Sequence, residues 1–398
     1  ILELKKKIEE SLNLSQNTSQ VLEIILQGAI ELEASDLHFE PQKETTKIRI
    51  RIDGMLQDAI AIDKKLSEAL IGRIKLLAKL KLNIANRPQD GRFSTPSPDG
   101  SIIEIRVSSL PAENGETLVL RILNPKALIE VEELGLPSDL LALLKKEFKK
   151  PNGMIIVTGP TGSGKTTTLY AFLKRIQTTE IKIITIEDPI EYHLKDISQT
   201  QVAGGYDFAS GLKSIMRQDP DVILVGEVRD LETVQTALQA ALTGHLVLTT
   251  LHTNDAAGTV ARLISLGAEP ANIGPAVNLV VAQRLVRKVC PKCRKFRTPT
   301  VQELNEIKAE LKKVPQDIKI SQAKGCPYCN ATGYKGRIGI FEVLLIDDEI
   351  EKLILANPAM AALRELAIKR GMVTLKQDGL KKVLEGLTTL EEVKRVAG

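Results

Sequence analysis

Gly159-Pro160-Thr161-Gly162-Ser163-Gly164-Lys165-Thr166 fits the pattern G-x-x-x-x-G-K-[ST]. An apolar run, Met154-Ile155-Ile156-Val157-Thr158, precedes it and reads as a buried strand; a helical stretch from Thr167 to Ile176 follows. A phosphate-binding loop needs that order of strand, glycine-rich turn and helix. Glycines let successive backbone N–H groups wrap the phosphates, and the helix N-terminus adds the positive end of its dipole. In such a loop Lys165 reaches the β- and γ-phosphates, and the Thr166 hydroxyl ligates magnesium. Residues Gly159 through Thr166, with Thr167 behind them, are the candidate cradle for ATP.

Outward from this loop, apolar strands alternate with helices: Ile181–Glu187, Val222–Val225 and Leu246–Thr250. That alternation predicts a parallel α/β sheet. Asp221-Val222-Ile223-Leu224-Val225-Gly226-Glu227 puts an acid after a buried strand, where a magnesium-side carboxylate sits in such sheets, which makes Glu227 a magnesium candidate. Glu187-Asp188-Pro189-Ile190-Glu191 places a second acidic cluster, more carboxylates than metal binding requires, so one of them is a candidate base for the attacking water. Thr243-Gly244-His245 and Leu251-His252-Thr253 flank the strand Leu246–Thr250; buried, satisfied histidines are an equal reading of that pair.

The flanks suggest further units. Residues 1–17 are charged and amphipathic and read as a linker from an upstream domain outside this chain. Residues 18–123 predict a small α+β domain: helical spacing from Thr18 to Glu33, a strand at Lys47–Ile52 turned by Asp53-Gly54, a helix at Leu66–Leu80, a Pro/Gly-rich turn region at 87–100, and strands at Ser101–Val107 and Thr117–Ile122. A linker at 124–132 leads to the larger α/β region, 133–398. All four cysteines fall in two Cys-x-x-Cys pairs, Cys290/Cys293 and Cys326/Cys329, within an element spanning 286–338; residues 339–398 read as helices. Two such knuckles can each hold one face of a tetrahedral metal ion, and a closed tetrathiolate is structural, with no open position for substrate.

Composition sets the class. The 398 residues, 43% apolar and 26% charged, suit a soluble protein of two or three domains and exclude collagen, disorder and a disulfide miniprotein. No apolar run is long enough to span a bilayer, and Ile1-Leu2-Glu3-Leu4 has no signal-peptide pattern, so a cytoplasmic fragment is expected. A net charge of +4, with 7 Phe, 5 Tyr and no Trp, gives little support to a nucleic-acid partner.

Taken in order, the P-loop, the Glu187–Glu191 box, Arg217-Gln218-Asp219-Pro220-Asp221 with Gly226-Glu227-Val228-Arg229-Asp230, and Gly244-His245 with Leu251-His252-Thr253 resemble the Walker A, Asp box, Walker B and His box of the bacterial secretion ATPase superfamily. Ala34-Ser35-Asp36-Leu37-His38-Phe39-Glu40-Pro41 is similar to that family's N-terminal domain, and the paired cysteines resemble the type IV pilus assembly and type II secretion branch. The resemblance implies a RecA-like P-loop α/β motor domain, a PAS-like α+β N-terminal domain and a small zinc-binding insertion. It implies a homo-hexamer that hydrolyses ATP with Mg²⁺, held peripherally at the inner membrane by a platform protein and a cytoplasmic-side assembly protein. Glu191 matches the general base, Glu227 the Walker B acid, and Lys165 the phosphate-binding lysine. Arg106 and Arg121 match charge-neutralising fingers of the N-terminal domain, Arg229 a phosphate-side arginine and His252 the His box; Glu187 and His245 fall on the nucleotide side. A RecA-like helicase or DNA translocase with a zinc ribbon is the alternative.

Overall fold

The computed structural model describes residues 1–13 and 17–398 and divides into two compact units, Ile1–Ala127 and Leu128–Gly398. In the first unit, helices α1 (Leu2–Asn13) and α2 (Thr18–Glu31) precede strands β1 (Asp36–Pro41), β2 (Thr45–Ile52) and β3 (Met55–Asp63). Helix α3 (Lys64–Leu77) and strands β4 (Gln89–Pro96), β5 (Ile102–Ala112) and β6 (Gly115–Leu123) complete it. The six strands form one antiparallel sheet in the order β3-β2-β1-β6-β5-β4. Strict alternation sends Leu37, Phe39, Ile48, Ile50, Ile105, Val107, Leu118 and Leu120 into one core with Val21 and Ile25 of α2 and Leu70 and Ile74 of α3. Alternate positions of the same strands carry Lys47, Arg49, Arg51, Glu104, Arg106 and Arg121. Arg106 and Arg121 are direct cross-strand partners there.

Two expectations change in this unit. Residues 1–17 were expected to be a linker, yet 2–13 form a helix whose Leu4 and Ile8 are buried in the core. Their spacing of four puts both on one helix face, and apolar burial outweighs the run's surface charge. Leu14, Ser15 and Gln16 of that expected linker lie outside the described residues. The turn region at 87–100 contains a full strand, β4, because pairing with β5 satisfies its backbone despite the glycine and prolines.

The second unit begins with α4 (Ser138–Glu147), β7 (Gly153–Thr158), α5 (Lys165–Ile176), β8 (Ile183–Glu187), β9 (Ser198–Gln201) and α6 (Phe208–Ile215). There follow β10 (Val222–Val225), α7 (Leu231–Leu242), β11 (Leu246–Leu251), α8 (Ala256–Ser265), α9 (Pro270–Ala276) and β12 (Val277–Val289). It ends with β13 (Lys295–Arg297), α10 (Val301–Glu310), β14 (Ile320–Gln322), β15 (Tyr334–Leu345), α11 (Asp348–Leu355), α12 (Met360–Lys369), α13 (Leu375–Leu384) and α14 (Leu390–Ala397). The main sheet runs β15-β12-β7-β11-β10-β8-β9, parallel throughout except for the antiparallel edge strand β15. Taking the phosphate-loop strand as first, the order of the central five is 5-1-4-3-2, that of a RecA-like core. Met154 and Ile156 of β7 pack on one side of the sheet and Ile155 and Val157 on the other, which is why the run is apolar without a break.

The expected boundaries at 286 and 338 both fall inside strands. β12 continues to Val289 and β15 starts at Tyr334, so the cysteine-bearing segment hangs from an antiparallel pair of the main sheet, and the helices expected from 339 onward start at Asp348. The expected linker 124–132 is also divided, since Val131 is fully buried in the second unit's core. Among the described residues, no helix is long and apolar enough to cross a membrane.

Candidate active site and metal centre

The loop after β7 turns on glycines with positive φ: Gly159 (154°), Gly162 (78°) and Gly164 (87°). A Cβ on Gly159 would stand 2.6 Å from the backbone oxygen of Gln283, and one on Gly164 2.9 Å from Gln283 Nε2. Glycine is required there by both torsion and space. Lys165 opens α5, and its Nζ donates to the carbonyls of Gly159 (2.9 Å) and Pro160 (3.2 Å), curling back over its own loop. Ser163 Oγ is buried and has no hydrogen-bond partner among the described residues, a donor available inside a loop otherwise shaped for oxyanions. Thr166 and Thr167 follow in the first turn of α5, partly exposed.

Parallel pairing brings the chemistry to this end of the sheet. Strand β10 ends at Val225, where the Gly226 amide donates to Ile186 O (2.8 Å) and the Thr250 hydroxyl to Gly226 O (2.7 Å), fixing the turn that carries Glu227. The Glu227 carboxylate pairs with Arg229 and lies 3.8 Å from His252 Nε2. Burial lowers the pKa of the Lys165 ammonium; Glu227 and Glu191 oppose that fall and Arg284 adds to it. Burial and the nearby Lys165 likewise lower His252, which keeps its imidazole neutral at pH 7. Lys165, Glu227, Glu191, Arg229 and His252 are therefore one electrostatic neighbourhood. An open cleft of about 610 Å³, lined in part by Asp188, Asp207, Phe208, Arg229 and Leu231, adjoins the Glu227 turn rather than the phosphate loop.

Two expected nucleotide-side residues make different contacts: Glu187 ends β8 beside Gly226 but points inward, and His245 sits at the far end of β11. Glu187 is buried, and its carboxylate accepts hydrogen bonds from the Tyr170 hydroxyl, Thr185 Oγ1 (2.6 Å) and Gln199 Nε2 (3.1 Å). Both of its oxygens are engaged inside the protein. It anchors Tyr170, whose oxygen also meets the backbone amides of Tyr192 and Glu191, so Glu187 holds the segment that presents Glu191. His245 precedes β11 and its Nδ1 faces Ala240 O at 3.0 Å. The register Leu246↔Gly153 and Leu251↔Thr158 puts His245 at the opposite end of the strand from His252, about 23 Å away at 3.3 Å per residue. The two histidines bracket the strand, and only His252 reaches the phosphate-loop end.

In the first unit, Arg121 is more than half exposed and lies 3.3 Å from Asp36 Oδ1; Arg51 approaches the other oxygen of Asp36 at 3.3 Å. Arg106 is paired with Glu104 at 3.5 Å.

The sequence reading missed Gln283 and Arg284. Gln283 Nε2 donates to Ser163 O (2.8 Å) and its Oε1 accepts from Thr168 Oγ1 (2.7 Å). The available signal was a Gln-Arg pair interrupting the apolar run Leu279–Val286, which flags a buried polar side chain in need of partners. No neighbouring residue indicated that the partners would come from the phosphate loop.

The four cysteines come together. Their sulfurs all lie within 4.8 Å of one another, with Cys290–Cys326 at 3.9 Å, Cys293–Cys329 at 3.8 Å and Cys326–Cys329 at 3.7 Å. A tetrahedral zinc with bonds of about 2.3 Å requires sulfurs roughly 3.8 Å apart, whereas a disulfide requires about 2.0 Å. Zinc fits. Burial disfavours the Cys329 thiolate, but the backbone amides of Cys326 and Gly333, each 3.2 Å from its Sγ, together with the Cys326 and Cys293 thiols bring it down to about 7, while burial pushes Cys293 up to about 12. A thiolate is the form that binds metal.

Comparisons with known proteins place the chain in a family. The family model described as "Type II/IV secretion system protein" matches residues 13–395. The chain is 44% identical over 393 residues to the type II secretion system ATPase E of Vibrio cholerae, covering 97% of this chain and 77% of that protein. It is also 44% identical over 391 residues to the type IV pilus assembly ATPase TfpB of Acinetobacter baylyi, covering 96% and 66%. Among solved structures, the pilus retraction motor PilT with bound ADP superposes with a TM-score of 0.62 at 30% identity, covering 94% of this chain and 96% of that one. With the phosphate loop, the acid-bearing strand ends and the match over nearly its whole length, the chain belongs to the type II/IV secretion system protein family.

Proposed function

We propose that this chain is a motor ATPase that powers assembly of a type IV pilus or a type II secretion pseudopilus. It works as a homo-hexamer on the cytoplasmic face of the inner membrane, held there by a platform protein and an assembly protein. The observation that carries the ATPase reading is the field around Lys165: two carboxylates, Glu227 and Glu191, and a neutral His252 gather at the mouth of the phosphate loop. The loop amides and Lys165 bind the β- and γ-phosphates, and Thr166 and Glu227 are the residues that would hold Mg²⁺. When bound, that ion offsets phosphate charge during transfer. Glu191 takes the proton of the attacking water, and Arg229 orients Glu227. Zinc on Cys290, Cys293, Cys326 and Cys329 is structural.

Glu191→Gln is expected to keep nucleotide binding near wild type and to lower kcat about 100- to 10,000-fold, because an amide cannot accept the proton. Steady-state turnover and nucleotide Kd measure this, and normal turnover would place the base elsewhere.

Arg106 and Arg121 are the proposed charge-neutralising groups of the N-terminal unit. Their cross-strand pairing supports that role by setting two cations side by side on one sheet face. Arg106→Ala and Arg121→Ala should each reduce kcat by roughly tenfold or more while changing nucleotide Kd little, since the charge matters most when the phosphoryl group is in transit. Unchanged kcat in both variants of the assembled ring would take the N-terminal unit out of the chemistry.

One observation favours the nucleic-acid motor as second reading. Residues 286–338 hold 13 Lys and Arg against 4 acidic residues, a local excess that the overall charge of +4 conceals. Exposed Tyr328 and Phe296 sit there under Lys292 and Arg294. Salt-sensitive stimulation of turnover by DNA or RNA would revive that reading, and its absence leaves the secretion motor.

A further inference from the structure

We infer that Gln283 and Arg284 form a positioning clamp for ATP hydrolysis: the pair fixes the phosphate loop against β12 and ties it to the loop that carries His252. The inference rests on the ATPase reading and concerns two residues that reading does not use. Gln283 is a polar side chain only 2% exposed, in the middle of an apolar strand. An amide buried so deeply is tolerated only when its polar atoms are paired. Nε2 donates to Ser163 O and Oε1 accepts from Thr168 Oγ1, at 2.8 and 2.7 Å. The amide has one workable orientation, because a flip would set two oxygens against each other at Ser163. Ser163 lies in the phosphate loop, and Thr168 lies in α5 just beyond Lys165 and Thr166. A single carboxamide therefore spans both sides of the nucleotide cradle.

The next residue extends the clamp. Arg284 Nη1 donates to the main-chain oxygen of Gln283 (3.1 Å) and Nη2 to Asn254 O (2.8 Å), two residues beyond His252. Thr253 closes the circuit from the other side: its amide donates to Thr158 Oγ1 (3.0 Å), and the two hydroxyls are 2.7 Å apart. Thr158 is the last residue of β7, immediately before the loop. The end of β7, the His252 loop and β12 thus form a closed ring of hydrogen bonds around the base of the cradle. No member of that ring has to touch phosphate. Its function is to hold Lys165, Thr166 and His252 at fixed separations, which matters because a 1 Å misplacement in an active site costs about a hundredfold in rate.

The test uses the full chain with its zinc. Gln283→Met conserves volume and removes both hydrogen bonds; Thr168→Val removes one; Thr168→Ser keeps the hydroxyl. Turnover, KM and nucleotide Kd are measured, with circular dichroism and Tm to check the fold. Gln283→Met is expected to lower kcat/KM about a hundredfold while remaining folded. Thr168→Val should fall in the same direction, and Thr168→Ser should stay near wild type. A packing role alone would lower Tm and leave kcat and KM of the folded protein alone, and values for Gln283→Met within about twofold of wild type overturn the inference. Should Gln283→Met fail to fold, the Thr168 pair decides, and equal turnover for valine and serine overturns it. Lys165→Ala separates the two levels: if it is inactive while Gln283→Met is normal, the clamp alone fails, whereas a wild-type chain without turnover removes the ATPase reading beneath it.

Discussion

Lys165→Ala is expected to abolish ATP hydrolysis, with turnover reduced at least about a thousandfold, more than a single neutral oxyanion donor supplies, because a full charge is lost. Lys165 is the cation that opens α5, and its Nζ is held over the loop by the carbonyls of Gly159 and Pro160. In that place it can pass from those carbonyls to phosphate oxygens without a large movement of the backbone. Nucleotide affinity should fall as well, since the same charge acts on the ground state. The fold should not suffer. A lysine at a helix N-terminus opposes the helix dipole and is already partly desolvated, so its removal should leave Tm unchanged or slightly higher. Turnover, nucleotide Kd and Tm on one preparation test all three statements. Near-normal turnover would mean that the loop does not bind phosphate.

The second large effect concerns the cysteines. One zinc per chain is expected in protein purified without added metal, and Cys326→Ser should lose it. Structural zinc binding is worth about 10–16 kcal/mol of apparent free energy at pH 7, and where no preformed site survives unfolding that energy is folding energy. Here it sustains a segment with modest support of its own: the short pair β13–β14 and a core of Val286, Ile307, Ile318 and Ile320 shared with α13 and α14. The loss should remain local. β12 is paired with β15 from Leu279 to Arg287, so the strand is held at Gln283 whether or not metal binds at Cys290. The variant should therefore lose stability and assembly, while hydrolysis in the folded remainder persists. Metal analysis together with protease mapping of residues 286–338 checks both parts. A metal content near zero in a stable, active wild-type chain would leave the four convergent sulfurs without a purpose.

Several structural facts were legible in the sequence because their causes are local. A glycine-rich turn between an apolar strand and a helix can be recognised from adjacent residues, and so can a Cys-x-x-Cys knuckle. The four central strands were placed to within two residues at each end, since a strand buried on both faces must be apolar throughout. Other facts required partners distant in the chain. Strand β4 looked like a turn until β5 lay beside it, and the helix at 2–13 looked like a linker until the core received Leu4 and Ile8.

The same division runs through the site. A phosphate-loop motif in a parallel sheet, an acid at a strand end and a tetracysteine set can all be read from residues that are neighbours in the chain. The folded chain separates side chains of the same type. It turned Glu187 inward onto Tyr170, Thr185 and Gln199 and left Glu191 acting on Lys165. It put His245 and His252 at opposite ends of one strand, and it brought Gln283 to Ser163 across 120 residues. The physical reason is that periodicity reports only which face of an element is buried. What that face meets depends on strand order and register, and those are set by contacts that exist only once the chain has folded.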